Sequence, residues 1–330
     1  MTGKQSTYVL KLIGYAVVAI AVILAFLVVG SRVMIPKDNS PEAGMIEPEA
    51  NGAMGEPVNS IDALIVGDSE VYNAISPLQM WNENGFTSYA CASPGQALAY
   101  SNTILRRAYT TQHPQIVVIE AGSIFKDLTV GNALARIAQD MFPLIEYHSR
   151  WKSLTPADFV QEPKATWTDE LKGFRVYEQT VPAAADGYME PTDEVAPIAR
   201  VNDAYLNIIV DYCRQNGAVP VLISVPSVTN WNMARHNAIN AWAGERGIDF
   251  IDFNTGTDKV DINWTTQTKD EGNHLNYDGA VIFTRALGKL LAERYSLPDH
   301  RSDDRYAAWD AYYDNYMAIV ASGGKTYKEA

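Results

Sequence analysis

Two side chains whose types could act together in catalysis occur at widely separated positions in this chain. Ser69 follows an apolar run, and His274 lies in a polar, glycine-containing loop directly before an amphipathic segment. A hydroxyl nucleophile needs a base to take its proton, and the base needs a carboxylate to fix its tautomer and stabilise its imidazolium. Ser69 is therefore the candidate nucleophile and His274 the candidate base of an acyl-transfer reaction.

Two carboxylates are alternatives for the third catalytic role. Asp270 lies four residues before His274, and Glu271 lies three residues before it. Gly272 and Asn273, which follow them, favour a turn that could bring either carboxylate back to the imidazole. Asp270 is the preferred partner, and Glu271 stays open as the alternative.

The chain around Ser69 reads as the end of a buried strand. Residues 61–66 are almost entirely apolar, and Gly67 and Asp68 separate them from Ser69. A structural interpretation also exists, because Asp68 or Ser69 could simply cap the helix that follows. The distant histidine and its acidic neighbours favour chemistry over capping.

Short apolar runs alternate with helical patterns through the middle of the chain. Five segments are predicted strands: 61–66, 87–92, 115–121, 219–225 and 249–253. Four segments have helical periodicity: 95–112, 200–216, 233–246 and 278–294. Strands that are apolar on both faces and separated by helices predict an α/β fold with a parallel sheet covered on both sides. Ligands of such sheets bind at the carboxyl edge, where Ser69 is expected.

These residues resemble the conserved blocks of the SGNH or GDSL hydrolases. Residues 67–70 read Gly-Asp-Ser-Glu, Gly95 matches the glycine of the second block, and His274 with "HLNYDGA" resembles the membrane-anchored, cell-surface branch of the family. The resemblance covers residues 61–294. It implies a flavodoxin-like, three-layer αβα sandwich and acyl-transfer chemistry at Ser69.

The resemblance also implies an oxyanion hole, with one departure from the family pattern. The backbone N–H groups of Ser69 and Gly95 would hold the oxyanion, and Asp68 is a further candidate for oxyanion or substrate binding. The third block is normally G-x-N-D, but "VIEAGSIF" places Ile124 where the family has its donor asparagine. Ile124 cannot donate a hydrogen bond, and losing one such donor typically costs about 10²–10³ in rate.

The N-terminal region contains one apolar segment long enough to cross a membrane. Residues 12–30 carry no charge, and as a helix they would rise about 28 Å, close to the hydrocarbon thickness of a bilayer. An uncleaved, single-pass anchor is the preferred interpretation, and a cleaved signal peptide is the alternative. Residues 1–11 are then expected on the cytoplasmic side and the remainder outside.

The chain beyond the anchor is predicted to form three further regions, the second of which contains an insertion. Residues 31–58 are rich in Pro and Gly and predict a flexible linker. Residues 59–294 form the SGNH-like domain, in which 123–199 is a long insertion, and 295–330 form a helical tail. The insertion carries three candidate sugar contacts, for which a packing role is the alternative: His148, Arg150 and Trp151.

Charge and residue usage exclude several classes of protein. The net charge is −13 with a pI near 4.8, which disfavours nucleic acid as a partner. The five histidines are scattered and no C-x-x-C or G-x-G-x-x-G motif follows a strand, so no metal or organic cofactor is expected. Cys91 and Cys213 are predicted to be buried free thiols.

The resemblance and the expected topology together imply a substrate class. An anchored, outward-facing member of this family would add or remove acyl groups, above all acetyl groups, on a cell-envelope polysaccharide or another acylated glycan. A multi-spanning membrane acyltransferase is the implied protein partner. A binding or assembly protein that keeps the fold without catalysis is the competing hypothesis, and the altered third block is its main support.

Overall fold

The computed structural model describes residues 3–324 and contains a five-stranded parallel sheet. The strands are β1 (Ala63–Gly67), β2 (Ser88–Ala92), β3 (Ile116–Glu120), β4 (Val219–Ser224) and β5 (Asp249–Asp252). Their order in the sheet is β2-β1-β3-β4-β5, with Val66 paired to Cys91 of β2 and Ile119 of β3. β1, which ends just before Ser69, therefore lies inside the sheet with neighbours on both sides.

Twelve α-helices occur within residues 3–324. They are α1 (Gly3–Met34), α2 (Pro48–Asn51), α3 (Ser69–Ala74), α4 (Pro77–Asn84), α5 (Leu98–Ala108), α6 (Val130–Met141), α7 (Pro143–Glu146), α8 (Pro156–Val160), α9 (Arg200–Gln215), α10 (Met233–Arg246), α11 (Tyr277–Tyr295) and α12 (Ala308–Ala321).

Alternate strand residues pack against different groups of helices. Leu64 and Val66 of β1 belong to a buried cluster with residues of α5, α9 and α10. Ala63 and Ile65, which point the other way, pack with residues of α3, α4 and α11. Because side chains alternate along a strand, the sheet is covered on both faces. The predicted three-layer αβα sandwich is confirmed.

The predicted elements agree with the observed ones except at their ends. All five predicted strands are present and differ from the observed bounds by at most two residues at either end. The predicted helix 95–112 is shorter, because Gly95 adopts a left-handed φ of 59° and α5 begins only at Leu98. The chain leaves the helix in a turn after Ala108, where the Thr111 N–H donates to the Ala108 carbonyl.

The chain divides into two compact units, which we call the sandwich unit and the helical unit. The sandwich unit contains residues 47–133 and 166–324, with all five strands. The helical unit contains residues 3–46 and 134–165. Within it, Tyr8–Met34 of α1 has a mean hydropathy of 3.0 and is long and apolar enough to cross a membrane.

The segment predicted as a flexible linker is packed at both of its ends. Ala50 and Ala53 are buried in the sandwich unit, and the Glu49 carbonyl accepts a hydrogen bond from the Tyr89 hydroxyl at 3.0 Å. Met45 lies in the helical unit, where the Tyr147 hydroxyl is 3.2 Å from its sulfur. The Pro- and Gly-rich composition predicts a free tether, but small residues such as alanine fit closely against a core.

The C-terminal tail forms α12, which packs against α4. Trp309 and Tyr316 are buried, and the Trp81 indole N–H donates to Asp310 at 2.9 Å. The Trp81 and Trp309 rings lie 5.6 Å apart. The aromatic residues of this tail are thus used for packing. Cys91 and Cys213 are both buried and free, as predicted.

Candidate active site

The carboxyl end of β1 requires a glycine before the candidate nucleophile. A Cβ on Gly67 would lie 2.5 Å from Val71 and 2.6 Å from the Cβ of Glu120, so only glycine allows this close approach. Asp68 is buried and caps α3 by accepting from the Glu70 N–H at 3.0 Å. Ser69 is then the first residue of α3 and is only partly buried. Its N–H has no partner within the helix, because the first N–H groups of a helix lack one.

The structure brings Ser69, His274 and Asp270 together. The Ser69 Oγ lies 2.8 Å from the His274 Nε2, and the His274 Nδ1 lies 2.6 Å from the Asp270 Oδ2. The Asp270 Oδ1 also accepts from the His274 backbone N–H at 2.7 Å. An Nδ1–H that donates to the carboxylate leaves Nε2 free to accept from the Ser69 hydroxyl. This is the arrangement that a hydroxyl nucleophile and its base need.

Glu271 does not take part in this arrangement. Its backbone is left-handed, with a φ of 59°, and its side chain is exposed. Its N–H donates to the Val181 carbonyl at 3.1 Å, which fixes the backbone away from the imidazole. Of the two carboxylates that the sequence left open, Asp270 is the one that contacts His274.

The loop that carries His274 is held from inside by Thr268. The Thr268 hydroxyl donates to the His274 carbonyl at 2.9 Å and accepts from the Gly272 N–H at 2.8 Å. Gly272 has a φ of 84°, and a Cβ there would lie 2.9 Å from the Cβ atoms of both Ala183 and Val228. The loop therefore closes tightly only with glycine at this position.

A second loop, which follows β4, supports the His274 loop from outside. The Ser227 hydroxyl donates to the Asn273 carbonyl at 2.8 Å, and the Val228 N–H donates to the Gly272 carbonyl at 2.8 Å. The Asn230 amide donates to the Glu70 carboxylate at 2.6 Å. Sequence reasoning missed these residues, although polar side chains after a predicted strand at the carboxyl edge were a usable signal.

A group of buried carboxylates lies beside Ser69. Asp68 pairs with the Lys126 ammonium at 2.6 Å. Glu120 accepts from the Ser123 N–H at 2.8 Å, but burial, together with the nearby Asp68 charge, raises its pKa to about 8. Burial likewise raises the pKa of Glu70 well above its usual range, assisted by the charges of Asp68 and Glu120. Burial thus favours the neutral form of both Glu120 and Glu70.

A small cavity of about 60 Å³ adjoins these carboxylates. It is lined by Asp68, Glu70, Gly122, Phe125, Lys126, Asn230 and Arg235. This volume holds a few water molecules and is far smaller than a typical ligand pocket of 300 Å³ or more. Asp68, predicted as a substrate-binding residue, is buried against Glu70 and Lys126, a position that favours support of the nucleophile over direct contact with substrate.

Gly95 is the predicted backbone donor to the oxyanion, and two other residues, Ile124 and Asn73, bear on the asparagine that the resembled family has in its third block. Gly95 lies in an exposed turn just after β2, at the carboxyl edge of the sheet. Ile124 is buried in the core, so its side chain is not available to a substrate. The Asn73 side-chain amide is already engaged in a hydrogen bond, because it donates to the Ser69 backbone carbonyl at 2.7 Å. No side chain among these takes the place of the missing asparagine.

The candidate sugar contacts of the insertion lie in the helical unit. Arg150 is bound to the Met34 carbonyl at 2.5 Å and to Asp158 at 2.8 Å, whereas Trp151 is exposed. The His148 ring nitrogen lies 2.9 Å from the Ile145 carbonyl. Within residues 3–324, no group of three or more His, Cys, Asp or Glu side chains is arranged to hold a metal ion.

Comparison with known proteins gave matches only among solved structures. No family model matches the chain, and no curated protein matches it. A protein from Bacteroides fragilis provisionally assigned as an acylhydrolase is 12% identical, with 74% of this chain and 93% of that chain covered and a TM-score of 0.39. A GDSL-like lipase from Bacteroides thetaiotaomicron is 13% identical, with 74% and 93% covered and a TM-score of 0.36. A carbohydrate acetylesterase family member from Sinorhizobium meliloti is 12% identical, with 72% and 100% covered and a TM-score of 0.37. At these identities and TM-scores, the activities in the names of these proteins do not carry over to this chain.

Proposed function

We propose that this protein is a membrane-anchored serine esterase or O-acyltransferase that acts on acyl esters, above all acetyl esters, of a cell-envelope polysaccharide or another acylated glycan. The observation that carries the proposal is the contact of Ser69 with His274 and of His274 with Asp270. These are the two contacts that turn a serine hydroxyl into a nucleophile.

In the first half of the proposed reaction, Ser69 becomes acylated. The Ser69 Oγ attacks the ester carbonyl while its proton passes to the His274 Nε2, and Asp270 stabilises the imidazolium. The N–H groups of Ser69 and Gly95 hold the oxyanion of the tetrahedral intermediate. The intermediate then expels the alcohol, which takes the proton back from His274, and the acyl group remains on Ser69.

In the second half, an acceptor releases the acyl group from Ser69. Water or a sugar hydroxyl gives its proton to the His274 Nε2 and attacks the acyl carbonyl, and collapse of the intermediate returns the proton to Ser69. Water as acceptor gives an esterase, and a sugar hydroxyl gives a transferase. The same residues serve both outcomes.

The proposed location is the outer side of a membrane, with α1 as a single-pass anchor. The apolar length of α1 supports its role as a membrane anchor. The resemblance of the His274 block to the cell-surface branch of the family supports a location on the outer side of the membrane. A multi-spanning membrane acyltransferase would then supply acyl groups or share the polymer substrate. The net charge of −13 supports a partner other than nucleic acid.

A non-catalytic binding or assembly role is the competing function. It is favoured by Ile124, which is buried at the position where the resembled family supplies a donor to the oxyanion. Against it, a protein that only binds has no need for a serine aligned on a histidine and an aspartate. Reactivity of Ser69 separates the two functions.

Covalent labelling of the full chain in detergent with a fluorophosphonate probe tests the proposed function. We expect the wild type to be labelled at Ser69 and the Ser69→Ala variant to remain unlabelled. Ser153→Ala, which removes an exposed serine of the helical unit, is the matched control and should label like the wild type. A folded wild type that fails to react would favour the binding role instead.

A further inference from the structure

We propose that residues 134–165 of the helical unit form a membrane-surface element, in which an outward apolar stripe of α6 inserts into the interface of the lipid bilayer next to α1. The stripe consists of Leu134, Ile137 and Met141. This inference rests on the proposed anchoring of α1, but it does not depend on the catalytic activity.

The polarity of α6 is inverted relative to that of a helix on a water-soluble core. Leu134 and Met141 are 60% and 66% exposed, and Ile137 is exposed with them. The spacing of three and four residues puts the three side chains on one helical face. Arg136 is instead buried, where it makes a bidentate contact with Glu146 at 2.9 and 3.0 Å. The helix thus buries an ion pair and presents its apolar face outward.

Contacts within the helical unit place this element at one end of α1. The Leu144 N–H donates to the Ser31 hydroxyl at 3.2 Å, and the Leu144 side chain lies against Gly30. Residues 12–30 of α1 would cross about 28 Å as a helix, so Gly30 lies near the end of the hydrocarbon layer. Leu144, the second residue of α7 and three residues beyond the end of α6, is therefore held at the level of the bilayer surface.

The side chains of α1 are exposed along most of the helix and become covered by the rest of the protein only near its C-terminal end. Residues 8–26 are exposed on all sides, although they are almost entirely apolar, and this surface requires lipid. From residue 27 the helix becomes partly covered, and Ser31 is buried. The apolar surface of α1 and the elements packed on its end therefore share one lipid environment.

Further exposed apolar residues in the same unit fit this environment. Trp151, Phe159 and Val160 are all more than half exposed. Tryptophan favours the bilayer interface, where an apolar ring can reach polar headgroups. Lys152, beside Trp151, is exposed and can reach phosphate groups. A protein partner would also cover apolar residues, but the physical continuity with α1 favours lipid.

Fluorescence quenching in reconstituted vesicles tests this surface. The full chain is inserted into vesicles of phosphatidylcholine and phosphatidylglycerol, with one environment-sensitive label on a cysteine introduced by Leu134→Cys, Ile137→Cys or Met141→Cys. The native Cys91 and Cys213 are buried and should not react. We expect loss of quenching by aqueous iodide and gain of quenching by spin-labelled lipid at all three positions.

Two controls make the result decisive. Ala135→Cys places the label on an exposed face of the same helix away from the stripe, and this label should stay accessible to iodide. Val18→Cys places it within α1, where lipid should quench it if the anchor is inserted. Equal iodide quenching at Leu134 and Ala135, with Val18 in lipid, would overturn the surface proposal and leave the anchor intact. A stripe shielded from both quenchers would show a protein partner instead, and a Val18 label that lipid does not quench would overturn the anchor.

Discussion

At the scale of single residues, the contact between Ser69 and His274 should decide activity. We expect Ser69→Ala and His274→Ala each to lower kcat on a simple acetyl ester by about 10³-fold or more. The double variant should lose no more than the worse single variant, because the two residues act as one unit. Steady-state hydrolysis, with folding checked by circular dichroism, measures this. Full activity of a folded Ser69→Ala protein would remove Ser69 from the mechanism.

Asp270 and Glu271 provide a matched pair of variants for testing which carboxylate orients His274. Asp270→Asn should lower kcat by about 10²–10⁴-fold, because an amide favours the wrong tautomer of His274. Glu271→Gln should leave kcat nearly unchanged, since the Glu271 side chain is exposed and the His274 ring contacts Asp270 instead. Comparable losses in the two variants would contradict the assignment of Asp270.

The sequence predicted the catalytic residue types but not all of their supports. Ser69 and His274 could be recognised because a strand end and a helix start mark them. Asp270 and Glu271 stayed unresolved, because only the left-handed backbone of Glu271 decides which carboxylate faces the ring. Ser227 supports a loop 46 residues further along the chain, and that pairing depends on the order of strands in the sheet.

At the scale of elements, the buried Glu120 at the end of β3 should make stability depend on pH. Burial and the charge of Asp68 raise its pKa from 4.5 to about 8, so the folded state binds a proton that the unfolded chain releases. Its contribution to stability is therefore complete below about pH 4.5 and is lost as the pH rises through 8. Glu70 and Asp68 face it, and the cations Lys126 and Arg235 adjoin the same cavity.

Glu120→Gln should reduce this pH dependence. An amide does not titrate, so the decrease in Tm between pH 5 and pH 9 should be smaller in the variant than in the wild type. The variant is expected to be somewhat less stable at pH 5, because the N–H groups of Gly122 and Ser123 donate to different oxygens of Glu120, and in Gln one of these oxygens is replaced by an NH2 group that cannot accept. Thermal unfolding followed by circular dichroism gives both values. An unchanged slope would mean that Glu120 does not titrate in this range.

The tight closure of the His274 loop gives a second prediction at this scale. Gly272→Ala should cost about 1–3 kcal/mol and lower kcat, because it combines a left-handed backbone with contacts to Ala183 and Val228 that are too short. Gly256→Ala is the matched control, since Gly256 has a φ of 74° but open space around its Cβ position. Equal effects of the two substitutions on kcat would show that the contacts are unimportant.

The strands were predictable because both faces of the sheet are buried, and this gives continuous apolar runs. The packing of the segment around Ala50 and Ala53 could not be predicted, because two alanines among Pro and Gly residues give no periodic pattern of apolar residues. Packing of such a segment depends on the shape of the surface that it meets, here including the Tyr89 hydroxyl at the Glu49 carbonyl.

At the scale of the whole molecule, the parallel sheet explains how residues over 200 positions apart can meet. β1 lies between β2 and β3, and all five strands are parallel, so its carboxyl end lies at the same edge of the sheet as the carboxyl end of β5, after which the chain continues to His274. The sequence predicted a parallel sheet, but the periodicity of its strands does not give their order in the sheet. The division into a sandwich unit and a helical unit had no sequence signal, since residues 134–165 look like any aromatic-rich insertion.

We expect α1 to be an uncleaved membrane anchor, with the sandwich unit on the outer side of the membrane. Cells producing the chain with a C-terminal epitope tag should lose the tagged sandwich unit when protease is added to intact cells. The apolar surface of Tyr8–Met34 should also keep the protein in the membrane fraction after an alkaline wash, because that surface is unstable in water. Mass spectrometry of the membrane fraction should recover peptides from residues 31–46, joined to α1. A tagged protein that withstands protease until lysis would reverse the orientation, and release into the medium without α1 would show that the segment is a cleaved signal peptide.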